Sequence, residues 1–206
     1  MKVSIKTAAI LIVLCICYTG IYAQAQRQSI SVHWGVAVPI NNQFIDKVGA
    51  VNPSLEWSYR IIPSLSAGLS LGYGSFIEKG AGDERIDTDL ISGNREKSLS
   101  LMPFLAKFHY FPFGNRNRLF SPFIGVGVGV QYAKFYIIGD AISSNKTSNW
   151  AEAFSAEMGT KIQLPKNERI YFDIRGLWQY GGNSCSLTGT KPIQTLGITL
   201  GVGFKF

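Results

Sequence analysis

Leu196-Gly-Ile-Thr-Leu-Gly-Val-Gly-Phe-Lys-Phe206 is the stretch on which the fold turns. Every second residue is large and apolar: Leu196, Ile198, Leu200, Val202, Phe204 and Phe206. Between them sit Gly197, Thr199, Gly201, Gly203 and Lys205. A period of two is that of an extended strand with one greasy face and one small, polar face. A strand of about ten residues with alternating faces is what a membrane-spanning β-barrel uses. It needs neighbours on both sides, because an open sheet edge cannot sit in lipid.

The rest of the chain supplies them. Ile30–Val38 alternates Ile30, Val32, Trp34, Val36 and Val38 with Ser31, His33, Gly35 and Ala37. Leu55–Ile61 sets Leu55, Trp57, Tyr59 and Ile61 against Glu56, Ser58 and Arg60, and Leu65–Gly74 sets Leu69, Leu71 and Tyr73 against Gly68, Ser70 and Gly72. Ile124–Tyr132 alternates Val and Gly. Phe154–Leu164 and Ile170–Tyr180 carry Glu157, Lys161, Asp173 and Arg175 on the polar face and Trp178 and Tyr180 on the apolar one. Leu99–Tyr110 is less regular: Met102, Phe104, Ala106, Phe108 and Tyr110 share a face, but Leu99, Leu101 and Leu105 fall on the other. A bulge near Pro103 is the expected cause, since proline cannot donate to a ladder. With the closing strand this makes eight.

The connections alternate in length. Ile62–Ser64, Phe111–Arg118 and Pro165–Glu168 are short; Pro39–Asn52, Phe76–Lys97, Phe135–Asn149 and Gly181–Pro192 are long and polar. Short turns at one end and long loops at the other mark an outer-membrane barrel, with the turns in the periplasm and the loops outside.

Lys2 and Lys6, the apolar run Ala8–Tyr18 and the small-x-small Ala23-Gln24-Ala25 read as a secretory signal peptide over 1–25, cut after Ala25 or Ala23. The domain is then 26–206. Removing the signal takes the net charge from +7 to +5. No later run of apolar residues is long enough for a spanning helix. Only Cys185 survives processing, so no intrachain disulfide forms. No basic helix or base-stacking motif accompanies the positive charge, which argues against nucleic acid as a partner. Anionic lipid head groups are the natural partner of such a surface.

Alternation alone does not say which face points out. A lipocalin-like barrel has a greasy lumen and a wet exterior. Here the polar face of three strands is mostly glycine, which weakens a strand and suits crowding inside a narrow barrel rather than contact with water. The apolar face carries Trp34, Trp57, Tyr59, Tyr73, Tyr132, Trp178, Tyr180, Phe204 and Phe206. Several sit near strand ends, as aromatic girdles do at lipid interfaces. The expected fold is all-β: an eight-stranded antiparallel up-and-down transmembrane barrel, monomeric because closure leaves no edge to pair.

The signal peptide, the eight strands, the alternating connections and the terminal Phe206 resemble the small outer-membrane barrels of the OmpX and OmpA-barrel type. Pro122-Phe-Ile-Gly-Val-Gly-Val-Gly-Val130 and Leu196–Phe206 are similar to the broad outer-membrane β-barrel, or porin-like, family. The resemblance spans the mature chain and is specific for architecture. It implies a bacterial outer-membrane location, lipids and lipopolysaccharide as surroundings, and reading of Phe206 by the barrel-assembly machinery. The tethering role of longer OmpA-type proteins is not implied, since no peptidoglycan-binding domain is expected after the closing strand.

The charged residues of the polar face are the candidate site: Glu56, Arg60, Lys107, Glu157, Lys161, Asp173 and Arg175. A charge facing lipid at mid-depth costs about 2–4 kcal/mol, so each belongs in the lumen, where it needs a partner. Two registers keep the faces in phase: Gly159 opposite Asp173, with Glu157 opposite Arg175, or Lys161 opposite Asp173. The set reads as a salt-bridge plug; the alternative is the lining of a narrow pore, which the glycine-rich faces favour. His33 beside Ser31, and His109, show no fixed Ser-His-acid spacing, so a lipid-modifying enzyme is not expected. No metal or cofactor is expected, since neither histidine has a supporting cysteine or acidic cluster in sequence. The charged loop Glu78–Glu96 and the Asn145-Lys146-Thr147 sequon read as solvated surface, and Cys185 as an outer-loop residue.

Overall fold

The computed structural model describes residues 27–40, 48–49, 52–81, 84–86, 89–91, 94–114, 119–139, 142–165, 167–183 and 192–206. The segment 1–25 expected as a signal peptide and Cys185 lie outside the described residues. In chain order the strands are β1 (Gln28–Ile40), β2 (Ser54–Ile62), β3 (Leu65–Gly72), β4 (Gly74–Ala81), β5 (Glu84–Ile86), β6 (Asp89–Ile91), β7 (Asn94–Tyr110), β8 (Phe120–Gly139), β9 (Ile142–Leu164), β10 (Asn167–Gly181) and β11 (Ile193–Lys205). Among the described residues none is helical.

Each wall strand pairs antiparallel with its sequence neighbours, and β1 pairs with β11, which closes the ring. β3 and β4 keep one register against β7, from Leu71↔Phe104 to Gly74↔Leu101, and form a single wall strand broken at Tyr73. The barrel therefore has eight walls, all antiparallel. β5 and β6 form a separate two-stranded ribbon between β4 and β7. At the seam Gln28 and Phe206 exchange both backbone hydrogen bonds, at 3.2 and 2.9 Å.

Pro103 does not cause a bulge. The β7–β8 register runs unbroken from Arg95↔Gly139 to Tyr110↔Ile124, through Pro103↔Gln131. The missing N–H is felt on the other side, where the β3–β4 break at Tyr73 lies beside Pro103 in the register. Leu99, Leu101 and Leu105 are thus in phase and point inward, each at most 3% exposed. With Phe76, Ala133, Phe135 and Ile193 the first two make an apolar core layer near the loop end.

Two segments expected as loops are largely strand. β7, β8 and β9 have 17, 20 and 23 residues, against the roughly 9–11 needed to cross a bilayer. β8 and β9 stay paired from Ala133↔Asn149 to Gly139↔Ile142, a ribbon that includes the sequon, and β4 pairs with β7 from Gly74↔Leu101 to Ala81↔Asn94. The charged segment Glu78–Glu96 opens inside that second ribbon, with Glu78 opposite Lys97. Past the bilayer both faces of a ribbon meet water, so the period-two signal fades while the backbone ladder continues. The short connections fall at Pro63–Ser64, between Phe111 and Leu119, and after Leu164.

The faces are as expected. Val32, Val126, Ile198 and Leu200 are 56–60% exposed on the outside, while Ser31, Glu56, Gln131, Asp173 and Thr199 are buried in the lumen.

Candidate functional site

The lumen is filled in layers set by strand phase. Below the apolar layer, toward the turn end, comes an amide layer. Asn183 accepts from the Gln131 side chain at 3.0 Å, and Gln179 donates to Gln131 at 2.5 Å. The charged layer follows.

Arg175 is its centre. Its Nε and Nη2 form a fork on Asp173, two residues along the same face of β10, at 3.1 and 2.5 Å. Its Nη1 donates across the lumen to Glu56 Oε2 on β2 at 2.7 Å and to Glu157 Oε2 on β9 at 3.2 Å. Lys107 on β7 binds the same two acids, at 2.7 Å to Glu157 and 3.5 Å to Glu56. One guanidinium and one ammonium thus tie four strands together across the barrel. The five residues are each at most 6% exposed. Charges buried this deeply are tolerated only when paired and hydrogen-bonded.

Both histidines belong to this layer, which sequence reasoning missed. His33 Nε2 lies 2.8 Å from Arg175 Nη2. The same Nε2 lies 3.5 Å from Asp173 Oδ2, so His33 stands beside both members of the Arg175–Asp173 pair. His109 Nε2 meets Glu157 Oε1, while its Nδ1 stands 3.9 Å from Glu56 Oε1. Strand phase was the available signal: His33 and Ser31, like His109 and Lys107, share the lumen face. His33 is 1% exposed and enclosed by the plug, away from any outer rim where lipid chemistry would occur.

The expectation that neither histidine has an acidic cluster is corrected by the fold. Donor atoms of Glu56, His109 and Glu157, drawn from three strands, lie within 4.8 Å of one another. Lys107 and Arg175 already hold both carboxylates, so the positive charge that a metal would bring is supplied by the chain itself.

The remaining two candidates lie nearer the turn end. The register places Lys161 opposite Asp173 and Gly159 opposite Arg175, the second of the two registers open from sequence. The Lys161 ammonium sits over Tyr171 at 4.9 Å and over Phe111 and Phe123 at 5.7 and 5.8 Å. Arg60 lines a small cavity at this end with Lys161 and Lys205. Lys205, also missed, is 6% exposed and donates to Gln163 at 3.1 Å.

Several lumen glycines lie against side chains rather than open space. A Cβ on Gly201 would meet the His33 ring, one on Gly203 the Tyr171 ring, and one on Gly125 His109 and Glu157. These three are small because lumen side chains lie against them. Free space remains above the plug, in a cavity of about 670 Å³ counted with its solvent-open part. Leu105, Lys107, Gln179 and Thr195 line it, and so do Val36 and Tyr73. Among the described residues β1–β2 pairing there stops at His33↔Ser54, and the Ala37↔Gly49 bridge continues it.

The outward aromatics fall at both ends. Trp57 donates to Gln28 at 3.3 Å beside Tyr59, near Phe204 and Phe206. Tyr132 packs on Trp150 and Phe154 on Tyr180, with ring centres 5.2 and 6.1 Å apart. Tyr73 and Trp178 are each 37% exposed. Trp34 faces out at mid-strand, opposite Leu200.

No family model and no curated protein matches the sequence. Solved structures do match the fold. Neisserial surface protein A superposes with a TM-score of 0.63 at 14% identity, over 89% of this chain and all of that one. A major outer membrane protein from Thermus thermophilus gives 0.55 at 10%, over 87% and 99%. Ail of Yersinia pestis, in complex with a heparin analogue, gives 0.53 at 16%, over 89% and 100%. At such identities the likeness is one of architecture: this chain has the fold of the small eight-stranded outer-membrane barrels.

Proposed function

We propose that the protein is a monomeric integral barrel of a bacterial outer membrane whose lumen is sealed, and which acts through its outward ribbons rather than as a channel. The plug carries this reading: Arg175 and Lys107 cross-link Glu56, Glu157 and Asp173 through the middle of the lumen. An exterior of exposed Val, Ile, Leu and aromatic side chains supports the membrane location, since water-soluble monomers do not expose apolar surface on this scale. In this frame the aromatics named above, apart from mid-strand Trp34, lie at the two lipid interfaces, Phe206 is the assembly signal, lipids and lipopolysaccharide are the surroundings, and no catalysis is assigned. The β8–β9 ribbon and the β4–β7 ribbon stand beyond the outer leaflet, where they meet other surfaces.

Single-channel recording of the refolded, signal-free protein in a planar bilayer tests this. The expected result is silence from the parent protein and small conductance steps from Arg175→Ala. Steady conductance by the parent would replace the sealed barrel with the narrow pore.

A further inference from the structure

The cavity above the plug lies between two seals. Phe76, Leu99, Leu101 and Phe135 fill the lumen on its loop side as an apolar layer, and the charged layer closes it below. Phe76, Leu101 and Leu105 border it from inside, each at most 3% exposed, while Val36 and Tyr73, 48 and 37% exposed on the outer face, border it as well. On that side the ladder is loosened twice. His33 pairs with Ser54 and Ala37 with Gly49, so four steps along β1 face five along its partner segment, a bulge. The β3–β4 break at Tyr73 lies next to it, where the Tyr73 N–H donates to the Pro53 carbonyl at 2.9 Å.

The floor of the cavity is polar. Ser70, Lys107 and Thr199 line it there, Ser70 opposite Glu56 and Thr199 opposite Arg175 in the ladder. Lys107 already holds Glu157 at 2.7 Å and Glu56 at 3.5 Å, so the floor offers hydrogen bonds without a spare charge. Thr199 is 6% exposed, and among the described residues its hydroxyl has no hydrogen-bond partner. Buried hydroxyls are normally satisfied, so an unpaired one marks a place for the polar atom of a guest. The roomiest part of the cavity is about 60 Å³. At roughly 10–15 Å³ for each water-sized atom, that is room for about four to six of them.

We infer that this cavity is a binding site for a neutral single-chain amphiphile of the alkanol class, which enters from the membrane with its hydroxyl first. The hydroxyl meets Thr199, the first few carbons lie along Leu101, Leu105 and Pro103, and the rest of the chain leaves between Val36 and Tyr73 for the lipid. A carboxylate in place of the hydroxyl would bring an unpaired charge to a floor whose ammonium is taken. An alkane would leave Thr199 unpaired and cover the polar floor with hydrocarbon. That the mouth of the cavity faces lipid rests on the membrane reading above; its polar floor and apolar walls do not.

The test is nuclear Overhauser spectroscopy of the refolded, signal-free protein, with labelled Leu and Val methyl groups, in phosphatidylcholine nanodiscs titrated with decanol. Saturable transfer from the protons beside the alcohol oxygen to the Leu101 and Leu105 methyls is expected, because these face the lumen, out of reach of bulk lipid. Val126, on the outer face, should show only the unsaturable contact of alcohol dissolved in the bilayer. Decane and decanoate should each occupy the Leu105 site about tenfold less well. Thr199→Val keeps the shape and should weaken decanol binding about three- to tenfold, while Val126→Ala should leave it unchanged. Transfer at Val126 with none at Leu105 would overturn the inference, as would equal occupancy by decane or an unchanged affinity in Thr199→Val. Water contacts at Leu105 that decanol does not displace would overturn it too. Protein that fails to enter the nanodiscs would strike the membrane reading itself, and the inference with it.

Discussion

Replacing Arg175 by Met keeps most of the side-chain volume and removes the centre of the plug. The guanidinium now meets Asp173 twice, Glu56 at 2.7 Å and Glu157 at 3.2 Å. Without it Glu56 and Glu157 keep Lys107 and His109, and Asp173 keeps His33 and its ladder neighbour Lys161. Removing one partner of a buried ion pair costs about 3–5 kcal/mol, because the other charge stays desolvated. Here several acids share the loss, so Arg175→Met is expected at the upper part of that range. Neutralising one acid as well should return part of it: the cycle with Glu56→Gln should show a coupling of about 0.5–3 kcal/mol. Urea unfolding from lipid vesicles, read by the fluorescence of Trp34, Trp57, Trp150 and Trp178, measures both quantities. A loss below roughly 1 kcal/mol, or strictly additive single changes, would refute the plug as a coupled network.

Two more outcomes follow from the faces of the strands. Val128→Arg puts a charge on the outer face midway along β8 and should cost about 2–4 kcal/mol in the same unfolding assay, whereas Val128→Leu should be near neutral. Gly203→Val drives a side chain into the Tyr171 ring and should cost about 1–3 kcal/mol; adding Tyr171→Ala should restore part of it, and no restoration would sink the steric account.

Much of this was legible in the sequence because alternation is a strong, local signal. The outward phase of Leu196–Phe206 and the inward phase of Glu56, Lys107, Glu157, Lys161, Asp173 and Arg175 follow from counting by two. What the count could not give was depth. Nothing local separates Arg175, at the centre of the plug, from Arg60, at the mouth, since depth depends on the stagger of strands far apart in sequence. The same limit hid His33 and His109, which join the plug only when β1 and β7 are brought to opposite walls. Leu99, Leu101 and Leu105 misled for a different reason. An inward leucine breaks the expected polar lumen, yet a closed barrel also has to fill its interior with side chains. The outer ribbons were unreadable because water on both faces removes the pattern while leaving the hydrogen bonds.

The seam between β1 and β11 has a consequence for how the chain can be cut. Gln28 and Phe206 are hydrogen-bonded neighbours, so the wall is a ring in which the break between first and last strand is one gap among several equivalent ones. Joining these two ends and opening the chain at the Pro63–Ser64 turn should give a circular permutant with the same barrel. Such a variant would no longer end on the Leu196–Phe206 strand. Its behaviour would separate the two roles proposed for this strand: a wall of the finished barrel, and the address read on the way to it.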